Sequence, residues 1–178
     1  PSRPRTEAEF MMSGSLSALG TASRTARTAK LSRVLPATPD EVWRAWTEPD
    51  RLPHWFGPIL KGVPGPDAEY VLEGRGAHGD TIVCRVLAWE PATRLRVTWR
   101  YTGETDSELR LDLAPTDDGT RLLLEHVGFG PEADPVDYAA GWHMYTDNLE
   151  AHLAGTPGVA DSDARWMELM PVYAASAD

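Results

Sequence analysis

Cysteine is nearly absent from this 178-residue sequence, in which Cys84 is the single example. One cysteine cannot form an intrachain disulfide, and it cannot supply a cysteine-rich zinc site. Disulfides are typical of oxidising compartments, so their absence here favours a reducing, cytoplasmic location.

Basic residues are also scarce, with 17 Lys and Arg against 27 Asp and Glu and a formal net charge of −10. Nucleic acids and acidic membranes attract basic surfaces, so neither is an expected partner. No apolar run reaches the roughly 18 to 20 residues that a membrane-spanning helix needs, and the N-terminus lacks the apolar segment of a secretion signal. With 42% hydrophobic residues, the chain is typical of one globular domain.

Common catalytic motifs are missing as well. The sequence contains no G-x-S-x-G elbow, no H-E-x-x-H, no G-x-G-x-x-G and no Walker loop. His54, His126 and His143 are too widely separated to form a metal-ligand motif. We therefore predict no catalytic residues, no metal and no cofactor, and we favour a protein that is not an enzyme.

Three segments are expected along the chain. Residues 1–28 are rich in Ser, Thr, Ala and Arg without a lasting hydrophobic period, which predicts a disordered leader. An organelle transit peptide is the alternative, and Glu7 and Glu9 weaken it. Residues 29–155 carry the domain, and residues 156–178 form a C-terminal tail with a short amphipathic segment that holds Trp166, Leu169, Met170 and Tyr173.

A strand followed by two short helices opens the domain. The strand covers residues 31–35 and stops at Pro36, because proline cannot donate to a sheet ladder. Thr38 then provides a helix N-cap, with Pro39 in the first turn. We expect the helix to bury Val42, Trp43 and Trp46, and a second short helix to cover residues 51–56.

Five more strands and one long helix follow. The strand patterns cover residues 69–73, 80–89, 94–101, 108–113 and 121–127, with short turn clusters between them, while residues 59–66 are predicted to be a loop. The turns are too short for crossover helices, so the sheet of about six strands is antiparallel. The helix is predicted over residues 135–154, with an apolar stripe that lies on the sheet.

Four segments of the chain resemble the activator of Hsp90 ATPase homologue-like family, in the START-like or SRPBCC superfamily. They are LPATPDEVWRAWTEPDRLPHWFGP at 35–58, VLAWEPATRLRVTWRY at 86–101, GTRLLLEHVGFGP at 119–131 and GWHMYTDNLEAHLAG at 141–155. The resemblance implies an α+β, Bet v 1-like helix-grip fold, in which a curved antiparallel sheet wraps the long C-terminal helix.

The resemblance also implies a cavity between the sheet and the helix, because such cavities in relatives hold apolar or aromatic small molecules. Binding of a ligand of this kind is the leading functional expectation. Two alternatives stay open: an interaction module that resembles a chaperone ATPase activator, and a cyclase- or hydrolase-like enzyme that acts on a polyketide-type substrate. The oligomeric state, monomer or homodimer, also stays open.

The candidate ligand-binding residues come from several elements. His126 follows Leu122 and Leu124 in the inward-facing set of its strand, so it is either a polar anchor for a guest or a structural hydrogen-bond partner. Thr146 stands where relatives usually have leucine, which would leave room for a guest. The full predicted lining is Trp55, Phe56, Trp99, His126, Trp142, Tyr145 and Thr146.

Overall fold

An eight-stranded antiparallel sheet forms the larger layer of the computed structural model, which describes residues 19–76 and 79–178. The strand order across the sheet is β1-β2-β8-β7-β6-β5-β4-β3. The strands are β1 Thr21–Ser23, β2 Thr28–Leu35, β3 Ile59–Lys61, β4 Glu69–Glu73, β5 Thr81–Glu90, β6 Arg94–Tyr101, β7 Ser107–Thr116 and β8 Gly119–Val127.

Alternation along the strands separates a buried face from a solvated one, as the sequence predicts. In β6, Leu95, Val97 and Trp99 are buried while their neighbours are partly or fully exposed. The inward residues of β7 and β8 are opposite each other, for example Leu109 and His126. The inner face of the sheet therefore provides one wall of the core.

Helices cover this inner face. They are α1 Pro39–Thr47, a 3-10 turn at Leu52–His54, the long α2 Pro135–Ala154 and α3 Ser162–Ser176. The side chain of Asp134 caps α2 by accepting from Val136 N, and Gly155 ends it in the left-handed conformation at φ 68°. The predicted bounds of α2 are thus confirmed, as is the burial of Trp43 and Trp46. None of the helices in the described ranges is long and apolar enough to cross a membrane.

Two strands were not predicted. Residues 59–61, expected to be part of a loop, form β3 and pair with β4 at the sheet edge. Residues 21–23 form β1 and pair with β2 through Thr21 and Lys30. The predicted leader of residues 1–28 is therefore too long, because residues 19–28 belong to the folded body; its first 18 residues lie outside the described part of the chain.

The tail contains a 15-residue helix, α3, which packs on α2 and β1. Leu169 and Tyr173 are buried, and the Tyr173 hydroxyl accepts a hydrogen bond from Gly20 N at 2.9 Å. A largely buried ion cluster supports this contact: the Asp147 carboxylate accepts from Arg33 at 2.5 Å and from Arg165 at 3.0 Å. The amphipathic segment of the tail is therefore part of a longer helix that closes one side of the domain.

Candidate functional site

A cavity of about 410 Å³ lies between the sheet and α2 and opens to the surface. Strands β5 and β6 form one wall, the first half of α2 forms the opposite wall, and the start of α3 borders the mouth. The lining residues are Phe56, Arg75, Gly76, Ile82, Trp99, Tyr101, Glu104, Glu132, Ala133, Asp134, Asp137, Tyr138, Gly141, Trp142, Tyr145, Asp163 and Trp166.

The inner end of the cavity is aromatic. Trp99 from β6 meets Trp142 from α2 edge to face, with ring centroids 5.2 Å apart. Phe56 packs against both Trp99, at 5.8 Å, and Tyr145, at 4.4 Å. Contacts of this kind hold large flat side chains in fixed orientations, so the cavity presents a preformed apolar surface.

Gly141 explains why space remains on the α2 side. It lies three residues after Tyr138 and four before Tyr145, so it shares their helix face. Apart from its chain neighbours and the backbone of its own helix, a Cβ atom built at this position would meet no atom of the described residues within 4 Å. Glycine in a helix interior costs about 1 kcal/mol relative to alanine, and here it leaves the cavity open.

Charge at the mouth is mostly negative. Within residues 19–76 and 79–178, six charged residues line the cavity, and Arg75 is the only cation among them; it pairs with Asp163. Asp134 pairs with Arg24 at 3.0 Å. Glu104, Glu132 and Asp137 are the other three carboxylates.

Glu104 and Tyr138 form a pair at the wall. The Tyr138 hydroxyl donates to Glu104 Oε2 at 2.6 Å, and both side chains are partly buried. Burial raises the pKa of Glu104, the Tyr138 hydrogen bond lowers it, and the charges of Glu132 and Asp137 raise it further. The pKa of Tyr138 is raised mainly by burial and also by its bond to Glu104.

The loop that follows β8 shapes the opposite rim of the mouth. The guanidinium of Arg27, a residue with φ 54°, donates to the carbonyl oxygens of Phe129 at 3.1 Å and of Ala133 at 2.6 Å. It also bonds to the carbonyl of Gly130. These bonds tie residues 129–133 to the β1–β2 turn, so the rim residues that follow are held in place.

His126 is fully buried behind the cavity wall and is not among the lining residues. Trp142 Nε1 donates to its Nδ1 at 3.1 Å, so the ring proton resides on Nε2, which faces Ser107 Oγ at 2.8 Å. The Ser107 hydroxyl in turn donates to the carbonyl of Trp99 at 3.0 Å. Burial lowers the pKa of His126 to about 3, which keeps the ring neutral.

His126 thus uses both ring nitrogens to connect the strand of Trp99 to the side chain of Trp142. The sequence left two interpretations of His126 open, a polar anchor for a guest and a structural hydrogen-bond partner. The geometry matches the second. Its effect on the cavity is indirect, because it fixes the orientation of an aromatic wall residue.

Two other predicted lining residues also lie away from the cavity. Trp55 is 3% exposed, packs against Trp46 at 4.5 Å and donates its indole N–H to Ala45 O. Thr146 is fully buried, and its hydroxyl bonds back to the carbonyl oxygens of Trp142 and His143 in its own helix. The short side chain of Thr146 therefore does not enlarge this cavity. The four predicted residues that line it are Phe56, Trp99, Trp142 and Tyr145.

Several lining residues were missed at the sequence level. A glycine in the middle of a strongly predicted helix was a usable signal for Gly141, because glycine there is unfavourable without a structural reason. Tyr138 shares the helical spacing of Trp142 and Tyr145, but it was not among the residues predicted for the site. Arg75, Glu104 and Trp166 lie on separate loops and helices, so only the folded chain brings them together. In the described ranges, no group of three or more His, Cys, Asp or Glu residues could hold a metal ion.

A curved antiparallel sheet that grips a long C-terminal helix and encloses a cavity open at one end defines a helix-grip protein of the SRPBCC type. The family model described as "Activator of Hsp90 ATPase homolog 1-like protein" matches residues 36–154, which is more than half of the chain. The chain belongs to this family.

Solved structures agree with this assignment. CalU16 from Micromonospora echinospora is 30% identical with a TM-score of 0.70, and the match covers 88% of this chain and 93% of CalU16. MLL2253 from Mesorhizobium loti is 27% identical with a TM-score of 0.65, covering 74% of this chain and 99% of that protein. DynU16, described as a putative protein in the dynemicin biosynthetic locus, is 26% identical with a TM-score of 0.65; the match covers 74% of this chain and about half, 49%, of DynU16. A comparison with curated protein sequences gives no match.

Proposed function

We propose that this protein binds an apolar or aromatic small molecule in the cavity between the sheet and α2. The observation that carries the proposal is an open cavity of about 410 Å³ whose inner end is formed by Phe56, Trp99, Trp142 and Tyr145. This volume lies in the range of about 300 to 1,000 Å³ that is usual for small-molecule sites.

Burial of apolar surface would supply most of the affinity, at about 25 cal/mol per Å². The wall is already organised before a guest arrives, since the Trp99 and Trp142 segments are connected through His126 and Ser107. Preorganisation of this kind lowers the entropy that binding must overcome. The location of the relative DynU16 in a biosynthetic locus fits a ligand of metabolic origin.

The cavity geometry gives less support to the alternatives. A hydrolase or cyclase that used His126 as its acid or base would need a free ring nitrogen at the cavity surface, and both nitrogens are engaged behind the wall. A role in chaperone activation is tested separately by adding the protein in excess to an Hsp90-type ATPase, and a rise in its rate would favour that role. We also propose a cytoplasmic location, which the single, buried Cys84 supports.

Gly141 offers a direct test of the binding proposal. Leucine at this position would extend into the cavity, whereas alanine adds one methyl group in open space. Both changes should preserve the helix, because each residue is a better helix former than glycine. Binding of 1-naphthalenemethanol can be followed through the indole N–H signals of the seven tryptophans in NMR spectra.

We expect the probe to shift the signals of Trp99 and Trp142 in the wild-type protein and in Gly141→Ala. Gly141→Leu should bind at least tenfold more weakly while keeping the wild-type melting temperature or exceeding it. A folded Gly141→Leu variant that binds the probe as the wild type does, or a wild type that binds no probe, would contradict the proposal.

A further inference from the structure

Resting on the small-molecule cavity proposed above, we infer that its guest carries a neutral oxygen acceptor, such as a ketone, which accepts a hydrogen bond from the Tyr145 hydroxyl while its aromatic body packs at the inner end. Tyr145 is then the residue that fixes the orientation of the guest. Aromatic cavities bind their ligands mainly through apolar surface and use a few polar groups for orientation, so the free polar groups of the lining indicate the class of guest.

Three tyrosines that the structure describes line the cavity, and their hydroxyl groups are not equivalent. The Tyr101 hydroxyl accepts from Gly76 N at 2.9 Å and donates to Asp80 at 2.8 Å. The Tyr138 hydroxyl donates to a carboxylate of the wall at 2.6 Å. The Tyr145 hydroxyl has no hydrogen-bond partner in the described part of the chain, and its oxygen is not sealed in the interior. Tyr145 therefore offers a hydroxyl that a guest can bind.

The indole N–H groups of the lining are already engaged. Trp142 and Trp166 donate to other groups of the protein at 3.1 and 3.4 Å. The N–H of Trp99 is buried and lies against the Tyr138 hydroxyl, whose pKa it lowers. Among the neutral polar side chains of the lining in the described ranges, Tyr145 is thus the one left for a guest.

The position of Tyr145 suits a guest whose aromatic part fills the inner end. Its ring packs against Phe56 at 4.4 Å and Trp142 at 6.1 Å, so it belongs to the aromatic wall. Its hydroxyl lies toward the mouth, where Arg75 and Asp163 pair: burial raises the pKa of Tyr145, the charge of Arg75 lowers it and that of Asp163 raises it. A flat aromatic body on this wall can therefore place an oxygen beside the hydroxyl.

Chemistry favours a neutral acceptor over a donor or an anion. A phenol hydroxyl is a stronger donor than acceptor, and the proton of Tyr145 has no acceptor in the described part of the chain. A full negative charge is disfavoured, because five carboxylates line the cavity and Arg75, the one cation among the described lining residues, already pairs with Asp163. A carbonyl oxygen meets both conditions.

Two probes of nearly the same shape isolate the hydrogen bond: 2-acetylnaphthalene and 2-isopropenylnaphthalene, in which a methylene group replaces the ketone oxygen. A third, 2-naphthoate, tests the charge. Dissociation constants are measured at pH 7.5 by titration calorimetry or NMR for the wild type, Tyr145→Phe and Tyr101→Phe. Tyr101→Phe is the matched control, because it removes from the same lining a hydroxyl that is already bonded to the protein.

Water also bonds to the ketone, so the decisive quantity is how each variant changes the ratio of the two dissociation constants. Tyr145→Phe should weaken binding of the ketone about fivefold and change that of the hydrocarbon by less than about twofold, while Tyr101→Phe keeps the wild-type ratio. The melting temperature of Tyr145→Phe should match that of the wild type, since the hydroxyl has no partner to lose in the described part of the chain. 2-Naphthoate should bind more weakly than the ketone.

The carbonyl signal of ¹³C-labelled 2-acetylnaphthalene gives a second readout, because a hydrogen bond moves it downfield. The shift should be larger in the wild type than in Tyr145→Phe. An unchanged ratio of dissociation constants in Tyr145→Phe, an equal carbonyl shift in both proteins, or tighter binding of 2-naphthoate than of the ketone would overturn the inference and leave the cavity proposal standing. If none of the three probes binds the wild type, both fail.

Discussion

Acid should destabilise this protein partly through His126, and the effect can be isolated by replacing that residue. The ring is fully buried, and its pKa is lowered to about 3 from the ordinary value of 6.5. Between these two values the unfolded chain holds a proton on this side chain that the folded protein does not. The contribution of His126 to the free energy of unfolding is therefore fully present above pH 6.5 and is lost as the pH falls.

The size of the effect follows from the displacement of the pKa. One pKa unit corresponds to about 1.4 kcal/mol, so at pH 5 His126 should have lowered the free energy of unfolding by about 2 kcal/mol relative to pH 8. His143, whose pKa burial lowers to about 4, acts in the same direction. A loss of this size is a large part of the 5 to 15 kcal/mol that stabilises a typical domain.

Urea unfolding at pH 8, 6.5 and 5, followed by tryptophan fluorescence, measures this loss. His126→Gln should be less stable at pH 8, because the bonds to Ser107 and Trp142 are disturbed. Between pH 8 and pH 5, however, the variant should lose about 2 kcal/mol less than the wild type. Val63→Ala, at an exposed position with no titrating side chain, is the control and should keep the wild-type loss. The reasoning is refuted if His126→Gln and the wild type lose the same free energy over this pH range.

Two further substitutions test the contacts that surround the site. Trp142→Phe keeps an aromatic wall but removes the indole N–H that donates to His126. Because Nδ1 of His126 is then unpaired, the free energy of unfolding in urea should fall by about 1 to 3 kcal/mol. An unchanged midpoint would mean that this hydrogen bond is not formed in solution. Asp147→Asn removes the carboxylate that pairs with the buried Arg33 and with Arg165 of α3. A cost of about 1 to 3 kcal/mol is expected, because Arg33 keeps a second carboxylate, that of Glu150, at 3.5 Å. Hydrogen exchange should then show α3 opening more readily, and exchange at the wild-type rate would count against the role of this cluster in holding the helix.

The candidate site was predicted only in part. Trp99, Trp142 and Tyr145 follow from alternation and helical spacing, which show the face of each element that points inward, and Phe56 follows from its position just before the Gly57-Pro58 loop. Trp55, His126 and Thr146 are also buried, and no pattern in the sequence distinguishes a side chain in a closed core from one at a cavity wall. That distinction depends on how completely the side chains of neighbouring elements fill the space between them. At Gly141, for example, the missing side chain leaves space open.

The sequence by itself determined the local elements, because their signals act over a few residues. Thr38 and Pro39 start α1, Asp134 and Gly155 bound α2, and strict alternation defines the central strands. Only the tertiary structure decided the pairing of the short strands β1 and β3, since three residues carry too little pattern and gain their stability from a distant partner. It also decided the charge of the cavity mouth: Arg75, Glu104, Asp137 and Asp163 come from four separate parts of the chain and converge through packing, which no local spacing encodes.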